Sequence, residues 1–100
     1  MPTTAQPGDV VLVRLPFTDL TTAKLRPAVV LATHGDDLTI LEIFSSPRQP
    51  PQPTWVVLSS QDPNFSGTGL KTTSVIKAER IAVIEKSVIV QKLGSLSTSH

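Results

Sequence analysis

The sequences GDVVLVRLPFTDL at residues 8–20 and RPAVVL at residues 26–31 decide the fold of this chain. The runs 10–15 and 28–33 are short, rich in β-branched residues and bounded by Gly, Asp or Pro, which is typical of strands. Both runs are apolar at consecutive positions, so each strand buries both of its faces. In a small protein this pattern predicts a tight β-barrel with a second covering surface.

Arg26 stands directly before a proline at the start of the second run. Pro27 fixes its own φ angle and restricts Arg26 to an extended conformation, so the backbone aims the arginine side chain. The residues between the two runs, 17–25, contain Thr and Lys and predict a solvated loop. We therefore expect the loop to place Arg26 at the start of the second strand.

Further strands are predicted along the rest of the chain. The turn sequence HGDD at 34–37 predicts that a third strand, 38–44, pairs antiparallel with the second. In that strand Ile40, Glu42 and Phe44 share one face. Strand patterns also cover 55–58, 73–78, 80–84 and 88–93, with a short helical turn as the alternative for the last. No window keeps a helical period, so the sequence predicts an all-β barrel or sandwich.

Composition limits the class of protein. One hundred residues predict a single domain, 1–100, and the absence of cysteine excludes disulfides and thiolate metal sites. The apolar runs are too short to span a bilayer and the N-terminus does not resemble a signal peptide, so we expect a cytoplasmic protein without a membrane partner. A net charge of +1 permits a nucleic-acid partner without indicating one.

Candidate functional residues are polar side chains near strand ends. No His, Asp or Glu spacing is typical of a metal site, so no metal and no cofactor are expected. Lys77 and Glu79 are two residues apart and face the same side of a strand. They form either a paired acid and base or a surface ion pair. Trp55 fits a core or interface position better than a base-stacking one, although Trp occurs in both.

Three motifs occur along the chain. The first has three parts, GDVVLV (8–13), PFTDL (16–20) and RPAVVL (26–31). The second is GLKTTSVIKAERI (69–81), and the third is KLGSLS (92–97). Together they resemble the MazF/PemK/Kid family of type II toxin–antitoxin ribonucleases, in particular its PemK-like branch. The resemblance covers about residues 7–97.

The resemblance implies an SH3-like barrel of six to seven short antiparallel strands that forms a homodimer. It implies metal-independent cleavage of single-stranded RNA by attack of the ribose 2′-hydroxyl, and inhibition by a MazE/PemI-like antitoxin. Carried over to this sequence, the catalytic residues are Arg26, Ser45, Lys77 and Glu79, with Arg26 stabilising the transition state and Glu79 as the base. The RNA-binding residues are Thr18, Lys24, Ser46, Arg48 and Lys71.

The sequence also departs from the family. Ser45 replaces a threonine, Lys77 replaces an arginine, and we expect the usual C-terminal helix to be missing because the chain stops at His100. Two alternatives therefore stay open. One is a non-catalytic or decayed SH3-like module that binds an antitoxin-like peptide, and the other is a gyrase-poisoning, CcdB-like toxin of the same fold.

Overall fold

The computed structural model describes residues 5–16, 23–45 and 52–96, which form a mainly β, barrel-like fold. The six strands are β1 (Asp9–Pro16), β2 (Ala23–His34), β3 (Asp37–Ser45), β4 (Trp55–Leu58), β5 (Ser74–Glu85) and β6 (Ile89–Ser95). The described ranges also contain two short 3-10 helices, Phe65–Thr68 and Lys86–Val88. The described ranges contain no α-helix, and no helix in them is long and apolar enough to cross a membrane. The predicted all-β fold is confirmed.

All six strands belong to one antiparallel sheet with the order β4-β5-β3-β2-β1-β6. The predicted turn between β2 and β3 is confirmed, because His34 pairs with Asp37 and only Gly35 and Asp36 connect them. Gly35 has a φ of +61°, a backbone conformation that glycine adopts without steric cost. This order places β3 between β2 and β5, whose side chains meet over it.

Adjacent residues of the first two strands are buried on opposite faces of the sheet, as their apolar runs predict. Val11 and Val30 pack in one cluster with Ile40, while Val10 and Val29 pack in a second cluster. All five side chains are at most 3% exposed. The two clusters explain why these strands are apolar at consecutive positions.

The start of β2 differs from the sequence prediction. Pairing with β1 continues to Pro16 and Ala23, so the predicted loop ends before Ala23 and Arg26 lies inside β2, opposite Val13. Pro27 is tolerated inside this strand because pairing of β2 with β3 begins only at Ala28, so its missing N–H breaks no ladder on that side. The neighbouring strands, rather than a loop, therefore position Arg26.

The two predicted segments at 73–78 and 80–84 form one strand, β5. This strand carries an irregularity where it crosses β3: Leu41 pairs with Ile81 and Ile43 with Ile76. Only Glu42 lies between those positions on β3, whereas residues 77–80 lie between them on β5. We call residues 77–80 the β5 arch. Bulges of this kind redirect side chains, and the arch carries three charged residues.

Candidate active site

Three cationic side chains surround the ring of Phe44 on β3. The distances to the ring centroid are 4.3 Å for Nζ of Lys77, 4.8 Å for Cζ of Arg26 and 5.6 Å for Cζ of Arg80. Arg26 approaches from β2, while Lys77 and Arg80 approach from the β5 arch. Cations within about 6 Å of a ring centroid are attracted by the negative face of the ring. Phe44 is therefore the common platform of three positive charges.

Glu42 lies between the two arginines of this group. Its Oε1 is 3.8 Å from Nε of Arg26, and its Oε2 is 3.9 Å from Nε of Arg80. These are ion-pair distances, and neither guanidinium group donates a hydrogen bond to another residue within 5–16, 23–45 and 52–96. The guanidinium donors of both side chains remain available to a ligand.

Lys77 is held between two aromatic rings. Its Nζ is 4.6 Å from the Trp55 ring as well as 4.3 Å from the Phe44 ring. Trp55 on β4 pairs directly with Lys77 on β5, so the pairing of these strands brings the ring and the cation together. Such contacts contribute about 0.5–1 kcal/mol each at exposed sites.

Glu79 is an exposed carboxylate with two side-chain hydrogen bonds. Trp55 Nε1 donates to Oε2 and Thr54 Oγ1 donates to Oε1, each at 2.7 Å. These bonds, with that of Trp55 the larger effect, lower the pKa of Glu79 below its usual value because they stabilise the charged form. The nearby charge of Lys77 lowers the pKa further to a smaller extent. Glu79 is consequently ionised at neutral pH.

A family model described as the PemK-like, MazF-like toxin of type II toxin–antitoxin systems matches residues 6–100. The chain belongs to this toxin family. No curated protein matches it. The resemblance found in the sequence is thereby confirmed, and membership implies an antitoxin as the partner of this PemK-like toxin.

The structure brings together three of the four predicted catalytic residues of the toxin: Arg26, Lys77 and Glu79 lie around Phe44 and Trp55. Ser45 is exposed at the end of β3, directly after Phe44 and opposite the buried Ser74.

The predicted RNA-binding residues are more widely spread. Lys24 is exposed on β2, two residues before Arg26, and Lys71 is exposed between the first 3-10 helix and β5. Thr18, Ser46 and Arg48 lie outside the described residues. No three His, Asp or Glu side chains within the described ranges are grouped closely enough to hold a metal ion.

Sequence reasoning missed several residues of this site. Glu42 and Phe44 were predicted to share a face of β3, which was the available signal, but neither was assigned a role. Arg80 was missed because the strand was predicted to break at Glu79, which left the arch unrecognised. Thr54 gave no signal, since its bond to Glu79 spans 25 residues of sequence.

Proposed function

We propose that this toxin is a metal-independent endoribonuclease that cleaves single-stranded RNA by attack of a ribose 2′-hydroxyl on the adjacent phosphate. The observation that carries the proposal is the convergence of Arg26, Lys77 and Arg80 on Phe44 in a member of the toxin family. An RNA backbone is anionic, and unpaired bases stack on aromatic side chains. A cluster of cations around the half-buried ring of Phe44 suits such a ligand.

The proposed reaction exchanges one phosphorus–oxygen bond for another. The 2′-oxygen bonds to phosphorus, the bond from phosphorus to the 5′-oxygen breaks, and the products carry a 2′,3′-cyclic phosphate and a 5′-hydroxyl. A proton leaves the 2′-hydroxyl and a proton reaches the 5′-oxygen. Arg26, whose donor fork is rigid, stabilises the negative charge of the transition state and directs a proton to the leaving oxygen, while Lys77 binds the same phosphate.

Glu79 is the proposed base for the 2′-hydroxyl. Its lowered pKa keeps it ionised at neutral pH, which the role requires, but also makes it a weaker base than an unperturbed carboxylate. We therefore expect removal of Glu79 to reduce the rate less than removal of Arg26.

The remaining predicted residues complete the proposed RNA site. Ser45 donates a hydrogen bond to a phosphate oxygen from the end of β3. The flanking phosphates and riboses are bound by Thr18, Lys24, Ser46, Arg48 and Lys71.

We also propose that the toxin acts in the cytoplasm as a homodimer of single-domain subunits. Ile81 and Val83 on β5 are 57% and 65% exposed, and apolar side chains on an open sheet face favour a covering partner. A second subunit provides such a cover.

The test is incubation of the purified toxin with a long RNA in EDTA, with the cuts mapped by primer extension. We expect discrete cuts at a recurring short sequence that Arg26→Ala abolishes. The matched control is Arg14→Ala: Val13 pairs with Arg26, so its neighbour Arg14 points to the other face of the sheet. Intact RNA with the parent toxin would contradict the proposal and favour a non-catalytic peptide-binding module.

A further inference from the structure

We propose that Glu42 is a positioning residue that holds the guanidinium groups of Arg26 and Arg80 at one phosphate site, which makes Arg80 a further RNA-binding residue. The inference rests on the proposed function and adds to it Arg80 of the β5 arch as a residue that binds the RNA backbone. Glu42 itself does not contact the RNA.

The first support is the place of Glu42 in the sheet. It is the single β3 residue opposite the β5 arch, and on its other side it pairs with Ala28 of β2. Its side chain is 15% exposed, whereas those of Arg26 and Arg80 are 29% and 56% exposed. The carboxylate thus lies beneath two more exposed cations.

The second support is that each oxygen of Glu42 faces a different arginine. Oε1 is close to Arg26 and Oε2 to Arg80, so one carboxylate restrains two guanidinium groups that belong to different strands. Phe44 provides a second common contact for both. Two shared contacts reduce the rotamers that each long side chain can sample before a ligand arrives.

The third support is the chemistry that remains available. Neither guanidinium makes a hydrogen bond recorded in the described part of the chain, and an arginine fork matches the geometry of phosphate oxygens. Two arginines brought together by one carboxylate therefore present a joint site for a phosphate. Arg80, with its more exposed side chain, is placed to meet the RNA backbone first.

The first experiment measures binding without catalysis. Fluorescence anisotropy follows the full toxin with 2′-O-methyl oligonucleotides that together cover the long RNA of the cleavage test, over a series of salt concentrations, so the choice of probe does not depend on cleavage. Arg80→Ala is expected to weaken binding and to reduce the slope of log affinity against log salt by about 0.7, the value for one lost single-strand phosphate contact. The control is Lys86→Ala, which removes a charge beside the turn at Asp36, at the other end of β5.

An unchanged slope for Arg80→Ala, or equal losses for Arg80→Ala and Lys86→Ala, would overturn the assignment of Arg80. Absence of RNA binding by the parent toxin would also overturn it. Binding without cleavage by the parent would contradict the proposed ribonuclease activity while leaving the Arg80 contact measurable, so the two failures are distinguishable.

The second experiment tests whether Glu42 acts by positioning the two arginines rather than through folding or the net charge of the toxin. Glu42→Gln keeps the size of the side chain but removes the charge that restrains both arginines. We expect kcat to fall about 100-fold, the cost of a small misplacement of reacting groups, while KM stays equal or decreases because a repelling charge is lost. Glu85→Gln, at the far end of β5 opposite Asp37, is the matched control. A rise in KM with unchanged kcat would contradict the positioning role.

Discussion

The indole Nε1 of Trp55 donates a 2.7 Å hydrogen bond to Oε2 of Glu79, which ties the edge strand β4 to the β5 arch. The bond joins residues 24 positions apart in the sequence. The same Trp55 ring contacts Lys77, so one side chain restrains both Glu79 and Lys77 of the arch. Trp55 therefore organises the chemistry of the site from the edge of the sheet.

This bond predicts a pH-dependent signal from the only tryptophan of the chain. As pH falls, protonation of Glu79 weakens the bond, so the indole N–H resonance should shift with a midpoint below 4.5. NMR titration of the indole proton measures it. Glu79→Gln should abolish the transition, and a midpoint at or above 4.5 would contradict the bonding described here.

The same lowered pKa predicts how stability depends on pH. A carboxyl whose folded-state pKa lies below its unfolded-state pKa stabilises the fold above the unfolded value, and this contribution is lost as pH falls through the folded value. Urea unfolding below pH 4.5 should therefore show a smaller pH dependence for Glu79→Gln than for the parent. Equal pH dependence of the two proteins would count against the native hydrogen bonds of Glu79.

Phe44 is predicted to matter more for the site than Phe65, which is also half-buried. Phe44→Leu removes the ring that three cations share, with each contact contributing about 0.5–1 kcal/mol. We expect RNA cleavage to fall at least tenfold. Phe65→Leu is the control, because Phe65 has no cation over its ring among the described residues. Equal losses in the two variants would indicate a packing effect instead.

A close approach between β6 and the first 3-10 helix predicts a sharp difference between two glycines. A Cβ on Gly94 would overlap the carbonyl oxygen of Gly67, whereas a Cβ on Gly67 would be 4.0 Å from its nearest neighbour. Gly94→Ala should destabilise the protein by about 1–3 kcal/mol through overpacking, and Gly67→Ala should not. Urea unfolding of both variants measures the difference, and equal stabilities would contradict the packing described.

Much of the fold could be predicted from the sequence because its signals are local. The consecutive apolar residues at 10–13 and 28–32 predicted strands buried on both faces, and Gly35 with its neighbours predicted a turn. The start of β2 was predicted too late, because Pro27 suggested a strand beginning where the structure has a strand interior. The tolerance for Pro27 depends on where β3 pairs, which a local pattern does not encode.

The site was predicted only in part, because most of its contacts join distant parts of the chain and leave no local signal in the sequence. Arg26, Lys77 and Glu79 were identified by resemblance, but their partners depend on contacts between distant parts of the chain. The contacts of Glu79 with Thr54 and Trp55 span 25 and 24 residues, and the place of Arg80 depends on the arch. Two separate strands were predicted at 73–78 and 80–84, whereas the structure has one strand with a bulge that brings its charged residues to one place.

Cleavage by attack of the ribose 2′-hydroxyl is tested by one measurement on paired substrates in EDTA. The substrates are an RNA oligonucleotide with a mapped cut and the same oligonucleotide with a single 2′-deoxy nucleotide immediately 5′ of that cut. We expect the toxin to cleave the first substrate to a 2′,3′-cyclic phosphate and a 5′-hydroxyl and to leave the second intact, and we expect Arg26→Ala to form neither product. Cleavage of the 2′-deoxy substrate at the same bond, or full activity of Arg26→Ala, would contradict this mechanism.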